Sequence, residues 1–190
     1  MLSAAQHAAR LAGIGGSDIP ILLGLYAKYG KDAHWLYQYK LGLSAQEPET
    51  ESMQFGTLLE PIIRDEVQRR RPEWTLHASD TVYAEEEPWA LCHPDGRIFD
   101  PTHTETALGV LEIKNSRYFS VKNGPSDAHL AQLQWNMGVC RAPWGVLAVL
   151  EGGCLLHIVP VPFDRVLWEN LLRITRVFWR QVQAQHWEGL

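Results

Sequence analysis

An apolar segment near the middle of this chain, Gly-Val-Leu-Glu-Ile-Lys-Asn, is interrupted by two charged residues, Glu112 and Lys114. The neighbouring residues are typical of a buried β-strand, in which alternate side chains point to the same face of the sheet. The Glu112 carboxylate and the Lys114 ammonium must therefore stand side by side. Because charged side chains are rarely buried without a partner or a ligand, the segment predicts a functional site on a sheet.

A further acid precedes this strand in the chain. Asp95 lies in the turn-forming sequence His-Pro-Asp-Gly, between two short β-prone segments. An acid at a turn, followed by a strand with an acid-x-Lys triplet, is typical of a metal-dependent phosphodiesterase. Asp95, Glu112 and the main-chain carbonyl of Ile113 are candidate oxygen ligands of a divalent cation. Lys114 is the candidate that orients the attacking water, and Glu60 is a candidate third acid.

A simpler interpretation of these residues stays open at this stage. Glutamate and lysine on the solvent face of a strand form weak ion pairs in many proteins, and Glu60 alone fits an exposed carboxylate on a helix. The chain carries a net charge of −5, which argues mildly against a nucleic-acid partner. Acids that bind a divalent cation would account for part of that charge, so it does not decide the matter.

The composition excludes several other classes of protein. Hydrophobic residues make up 46% of the chain and aromatic residues 10%, which excludes a disordered protein. No apolar run has the length of a membrane span, and the N-terminal residues lack the apolar core of a signal peptide. The three cysteines suit neither a disulfide framework nor a metal cluster, so we expect a protein of the reducing cytoplasm.

The pattern along the chain predicts a single α/β domain over residues 1–190, with a central mixed β-sheet flanked by helices. A helical part is expected over about 1–72, a sheet-containing core over about 73–162, and a C-terminal helix over about 163–188. The strand-like segments from about Thr75 to Asn115 are expected to be arranged as in a meander. Ser17 is expected to cap a helix start, and Pro61 to kink or restart a helix over 54–71.

Aromatic and lysine residues alternate in the segment from Tyr26 to Lys40. Such an arrangement is typical of surfaces that stack the bases and bind the phosphates of single-stranded or frayed DNA. The alternative is that the same residues pack a helix on the core. The sequence leaves both interpretations open.

Five motifs, in order, give the chain a family resemblance: RLAGIGGSDIPILLG, FGTLLEPIIRDEV, HPDGR, LEIKN and HLAQLQWNMGV. The sequence from Arg10 to about Leu150 resembles the phage-type viral recombinase nucleases, the YqaJ family, to which phage lambda exonuclease is related. That family belongs to the PD-(D/E)xK nuclease superfamily, whose core is a mixed sheet flanked by helices. The resemblance therefore implies the same fold class as the pattern of predicted helices and strands.

The resemblance also implies roles for individual residues. It implies that Asp95 and Glu112 are the metal-binding acids, that Lys114 is the catalytic lysine, and that Glu60 is the helix carboxylate that serves the metal site. Two further motif positions concern DNA. Arg10 and Ser17 resemble a pair that binds the 5′-phosphate of a DNA end, and Gln132 resembles a helix glutamine that faces the active site.

By resemblance, the expected activity is Mg²⁺-dependent digestion of double-stranded DNA from its ends, with Mn²⁺ as a substitute cofactor. The expected direction is 5′→3′, which leaves a 3′ single strand for a single-strand annealing protein in phage-type recombination. A trimeric ring and a phage or prophage origin, with action in the bacterial cytoplasm, are implied in the same way. Two alternatives stay open: a restriction- or repair-type endonuclease with the same site, and a non-catalytic subunit that binds DNA ends.

Overall fold

A five-stranded mixed sheet lies at the centre of the computed structural model, which describes residues 4–44, 50–100, 108–117 and 124–190. The described residues form seven strands: β1 Thr75–His77, β2 Val82–Tyr83, β3 Leu91–Cys92, β4 Gly96–Phe99, β5 Leu108–Ser116, β6 Trp144–Glu151 and β7 Leu155–Pro162. Five of them make the central sheet, in the order β1-β4-β5-β6-β7. The β5 and β6 strands are parallel and the other neighbours are antiparallel. The predicted fold class, an α/β domain with a central mixed sheet, is confirmed.

The helices cover both faces of the sheet. They are α1 Ala4–Leu11, α2 Ile19–Leu22, α3 Ala33–Lys40, α4 Glu51–Arg70, α5 Asp127–Cys140 and α6 Arg165–Ala184, with short 3₁₀ turns at Gly16–Asp18 and Ala27–Tyr29. The α4 helix packs Ile63 and Val67 on one face of the sheet. The α5 helix packs Leu133 and Met137 on the other face. Since parallel strands need a crossover connection, α5 also carries the chain from β5 to β6.

The meander prediction is wrong for part of the sheet. Strands β2 and β3 pair with each other in a separate two-stranded sheet, and they do not join β1 and β4. The reason is visible at Ile14, which forms a bridge with Ala90 and receives a hydrogen bond from the amide of Leu91 at 2.9 Å. The N-terminal segment therefore holds β3 against the helical layer, away from the central sheet.

Pro61 does not interrupt its helix. The α4 helix runs from Glu51 to Arg70 with Pro61 inside it, and Thr50 caps its start by accepting a hydrogen bond from the Met53 amide at 3.3 Å. The predicted helix is thus confirmed, and of the two predicted effects of Pro61 the fresh start near Glu60 is wrong, because the helix continues through the proline. Much of its apolar side faces solvent: Phe55, Leu58 and Ile62 are exposed.

The segment before α2 also differs from its prediction. Ser17 is not a helix cap, because the 3₁₀ turn begins at Gly16 with Gly15 as its capping residue. The amide of Gly15 donates to the Asp18 carboxylate at 2.8 Å, so this amide is not available to an external anion. Pro20 lies in the first turn of α2, where the missing amide hydrogen costs no helical hydrogen bond.

A buried ion pair fixes this segment to α3. Lys40 Nζ lies 2.6 Å from Asp18 Oδ2, and the two side chains are 0% and 2% exposed. Lys40 also donates to the main-chain oxygen of Arg10 at 2.5 Å. The sequence grouped Lys40 with the surface lysines Lys28 and Lys31, but the structure removes it from that surface and uses it to hold Arg10 and Asp18 together.

The last two strands form a hairpin at the edge of the sheet. Gly152 and Gly153 turn the chain with φ angles of 56° and 76°, which glycine adopts without a Cβ clash. The β7 strand carries Pro160 and Pro162, which pair in register with Val146 and Trp144 of β6. Among the described helices, none is long and apolar enough to cross a membrane.

Candidate active site

The predicted acids meet where β4 begins beside β5. Gly96 lies opposite Leu111 in the antiparallel pair, so Asp95 lies next to Glu112 and Ile113. The Ile113 amide donates to Asp95 Oδ2 at 2.6 Å, which fixes that carboxylate at the edge of the strand. A side chain at position 96 would lie 3.2 Å from the His77 main-chain oxygen, so a glycine there permits the close approach of β4.

Glu112 and Lys114 share one face of β5, as the strand period predicts. Lys114 Nζ lies 2.6 Å from Glu112 Oε1, and their side chains are 24% and 2% exposed. Burial of the Glu112 carboxylate is energetically costly, as the sequence predicts for a charged residue in this strand, and its ion pair and hydrogen bonds offset that cost.

Two amide side chains of α5 complete the contacts of Glu112. Gln132 Nε2 donates to Glu112 Oε1 at 2.5 Å, and Gln132 Oε1 accepts a hydrogen bond from Lys114 Nζ at 3.0 Å. Asn136, one helical turn further on, donates from Nδ2 to Glu112 Oε2 at 2.8 Å. Gln132 therefore bridges the glutamate and the lysine, while Asn136 holds the second carboxylate oxygen.

Asn136 was not among the predicted site residues. Its spacing of four from Gln132 places both side chains on one face of α5, which is the signal that could have identified it. Asn136 is 1% exposed, and its Oδ1 has no hydrogen-bond partner among the described residues. That oxygen points at Gly16, where an added Cβ would lie 2.2 Å away. The absence of a side chain at Gly16 thus allows the N-terminal segment to pack against Asn136, the residue that donates to Glu112.

The N-terminal segment also brings Arg10 and Ser17 together. Arg10 Nη2 donates to Ser17 Oγ at 3.0 Å, so the two residues that the family resemblance paired are in contact. Ser17 adjoins Gly16, which packs against Asn136 and lies near Gln132 Cγ. Arg10 and Ser17 are therefore linked to the acidic site through a short series of packed residues.

Glu60 lies at the border of this arrangement. It pairs with Arg64 at 3.7 Å, and Arg64 donates to the main-chain oxygen of Asp95 at 2.7 Å. Glu60 is near enough to raise the pKa of Asp95, as one of the smaller contributions. Within the described residues, no three acidic, histidine or cysteine side chains converge as a ready metal cage. The structure thus places Asp95 next to Glu112, whereas Glu60 is joined to Asp95 through Arg64.

The close spacing of the charged groups in the site shifts the pKa values of Asp95 and Lys114. Burial raises the pKa of Asp95 well above its ordinary range, and the nearby Glu112 adds to the effect, although Lys114 and the Ile113 amide oppose it. Burial lowers the pKa of Lys114, but Glu112 and Asp95 outweigh it, so the net pKa is raised and the ammonium stays charged. Two adjacent carboxylates that repel each other, with hard oxygen donors, fit a divalent cation such as Mg²⁺.

The family follows from comparison with known proteins. Residues 6–143 match the YqaJ-like viral recombinase domain, so the chain belongs to that family. The chain is 26% identical over 177 residues to the uncharacterized protein YqaJ of Bacillus subtilis (strain 168), a match that covers 90% of the chain and 53% of YqaJ. The chain thus spans about half the length of that curated relative.

Solved structures show the same fold. An alkaline exonuclease from Laribacter hongkongensis, LHK-Exo, superposes with a TM-score of 0.75 at 16% identity, covering 96% of this chain and 94% of that one. LHK-Exo in complex with dAMP also gives 0.75, at 17% identity and the same coverage. A phage related exonuclease from Haemophilus somnus 129PT gives 0.63 at 11% identity, covering 91% and 94%. The chain thus belongs to the YqaJ-like viral recombinase family and has the fold of these solved structures.

Proposed function

We propose that the protein is a Mg²⁺-dependent exonuclease that digests double-stranded DNA from its ends in the 5′→3′ direction. The observation that carries this proposal is the contact set of Asp95, Glu112, Lys114 and Gln132, which lies where β4 and β5 face α5. Asp95, Glu112, the Ile113 carbonyl and the nearby Glu60 are the groups that would hold the cation, and Mn²⁺ is expected to substitute for it. A cation bound there supplies charge neutralisation at the scissile phosphate and acidification of water.

The chain's own side chains have separate tasks in this proposal. Lys114, charged and fixed between Glu112 and Gln132, holds a water in line with the phosphate and stabilises negative charge that develops there. Gln132 and Asn136 keep both oxygens of Glu112 in one orientation. Arg10 and Ser17 bind the terminal 5′-phosphate, where the guanidinium offers a permanent charge and a bidentate contact.

The decisive test of the nuclease proposal is Lys114→Ala. Removal of a group that acts on the reacting water is expected to lower the rate of nucleotide release by about 10²–10⁴-fold. DNA affinity should be retained, because the proposed cation ligands are untouched. The assay is a time course of nucleotide release from end-labelled linear duplex in Mg²⁺, with EDTA as the blank. Turnover near that of the wild type would refute the assignment of this site.

The same assay distinguishes the main alternative. An endonuclease with this site would cut covalently closed duplex, whereas an exonuclease needs an end and leaves closed duplex intact. Release of label from the 5′ end before the 3′ end would establish direction. A protein that binds DNA ends and releases no nucleotide in Mg²⁺ or Mn²⁺ would be the non-catalytic subunit.

The terminal phosphate provides a second test. Linear duplex with a 5′-phosphate should be digested faster than the same duplex with a 5′-hydroxyl, and Arg10→Ala should remove that difference. Arg173→Ala, which removes an exposed arginine on α6, is the matched control and should keep it. Equal wild-type rates on both ends would leave Arg10 and Ser17 as a structural pair only.

The wider setting is part of the proposal. Digestion of one strand would leave a 3′ overhang for a single-strand annealing protein, in the cytoplasm of a bacterium that carries the phage or prophage. A trimeric ring around DNA would provide processivity. Light scattering should then give about three times the 21.6 kDa chain mass. A monomer that still digests long duplex without dissociating would remove the ring and leave the nuclease proposal intact.

A further inference from the structure

A surface of aromatic rings and lysines adjoins the candidate active site. We call it the aromatic–lysine platform. It lies on the segment that includes the 3₁₀ turn Ala27–Tyr29 and α3, and it consists of Tyr26, Lys28, Tyr29, Lys31, Trp35 and Tyr39. The helix that carries it is joined to the N-terminal segment of the candidate site, because Lys40 at the end of α3 pairs with Asp18 at 2.6 Å and donates to the main-chain oxygen of Arg10.

The rings of the platform are arranged for stacking. Trp35 and Tyr39 are parallel within 8° at a centroid distance of 5.5 Å, and Tyr26 and Tyr29 lie 6.2 Å apart. Tyr26, Trp35 and Tyr39 are half-buried and rest on the core, which holds their rings in place. Tyr29 is 66% exposed and projects from the turn. Core packing, the alternative left open by the sequence, thus accounts for the buried part of Tyr26, Trp35 and Tyr39, while the rest of these side chains and most of Tyr29 stay in contact with solvent.

The charge of the platform differs from that of the whole protein. No acidic residue occurs between Asp18 and Asp32, whereas Lys28 and Lys31 both lie in that interval of an otherwise acidic chain. Lys28 Nζ lies 4.9 Å from the centroid of Tyr29, and Lys31 Nζ lies 5.2 Å from the centroid of Trp35. Each ammonium therefore lies close to an aromatic ring, so that the ring can contact a base while the lysine contacts the phosphate of the same nucleotide.

We infer that the aromatic–lysine platform binds single-stranded DNA beside the active site. Exposed rings stack on the faces of unpaired bases, which are covered in a duplex, and lysines bind the phosphates that join them. This inference rests on the proposed function for the choice of DNA. It adds to it a surface that holds unpaired nucleotides beside the segment of Arg10 and Ser17, so that strand separation and cleavage occur next to each other.

Binding can be measured without digestion. The full chain carrying Lys114→Ala, in EDTA, is titrated against a short fluorescein-labelled DNA strand of mixed sequence, with anisotropy as the readout. Tyr29→Ala in this background should weaken binding at least about fivefold, because stacking contributes about 1–3 kcal/mol per base. Tyr83→Ala is the matched control, since Tyr83 is 53% exposed on β2 and lies outside the platform.

Two further arms separate stacking from charge. A strand of the same length with abasic positions keeps its phosphates and loses its bases, so it should bind more weakly than the normal strand, and Tyr29→Ala should reduce that preference. Replacement of Lys28 and Lys31 by alanine should lower the slope of log affinity against log salt concentration by about 1.4, since each phosphate contact contributes about 0.7. Arg173→Ala should leave the slope unchanged.

The inference is overturned if Tyr29→Ala binds the normal strand as tightly as its parent, or if the two control variants weaken binding equally. It is also overturned if duplex DNA or RNA competes as well as the single strand. The nuclease assay with Lys114 intact gives an independent result. Loss of binding in the Tyr29 variant alongside an inactive wild type would sustain the platform and reject the nuclease, and the reverse outcome would reject only the platform.

Discussion

Replacement of Lys40 by methionine is expected to destabilise the protein strongly. Lys40 and Asp18 form an ion pair of 2.6 Å with both side chains buried. Methionine fills a similar space but leaves the Asp18 carboxylate with the Gly15 amide, at 2.8 Å, and it removes the partner of the Arg10 carbonyl. Breaking a buried pair by removal of one partner costs about 3–5 kcal/mol. Since domains are stable by about 5–15 kcal/mol, this is a large fraction of the total.

The assay is equilibrium unfolding in urea, followed by tryptophan fluorescence. With a slope of about 2 kcal/mol per molar urea, Lys40→Met should lower the midpoint by about 1.5–2.5 M. Adding Asp18→Asn removes the unpaired charge and keeps an acceptor for the Gly15 amide. The double variant should therefore recover much of the loss, to a net cost of about 1–2 kcal/mol.

Two results would refute this reasoning. One is a midpoint shift below about 0.5 M for Lys40→Met, which would mean that the buried pair contributes as little as a surface pair. The other is a double variant as unstable as Lys40→Met, which would mean that the lost packing of the lysine stem, and not the unpaired carboxylate, is the cause.

Three shorter predictions concern the site. Gly16→Ala should displace Asn136, whose Oδ1 would lie 2.2 Å from the new Cβ, and should lower nucleotide release while the chain still folds on circular dichroism. Burial, followed by the nearby Lys114, lowers the pKa of His129 to about 4, so the unfolded state binds the proton first as the pH falls. The free energy of unfolding should therefore decrease as the pH is lowered from 6.5 to 4, by at most about 1.4 kcal/mol per pH unit. Urea midpoints measured for His129→Phe over the same range should lack this contribution. Ca²⁺ should support DNA binding without cleavage, because it coordinates more loosely than Mg²⁺; cutting in Ca²⁺ alone would contradict the mechanism.

Residues near each other in sequence were the most predictable part of the site. The strand period places Glu112 beside Lys114, and a turn before the neighbouring strand places Asp95 against Ile113, so local geometry sufficed. Asn136 escaped prediction because its role depends on packing between α5, β5 and Gly16, which lie far apart in the chain. Its spacing from Gln132 was the available local signal.

Lys40 was misjudged for a related reason. In sequence it belongs to a basic stretch, and only its spacing of three and four from Tyr37 and Leu36 indicates the buried face of α3. The fresh start expected at Pro61 does not occur, since α4 continues through the proline and is held on the sheet by Ile63 and Val67. In both cases tertiary contacts outweighed a local preference.

The prolines of β7 restrict how copies of this chain can associate. Pro160 and Pro162 have no amide hydrogen, and they lie on the strand at one border of the sheet, whose other side is already paired with β6. An incoming strand would find no donor at either position, so the sheet cannot be continued smoothly from one molecule into the next along this border. Assembly into a ring would then not extend the sheet across the β7 border, and the same two residues protect this border against unwanted strand-to-strand aggregation.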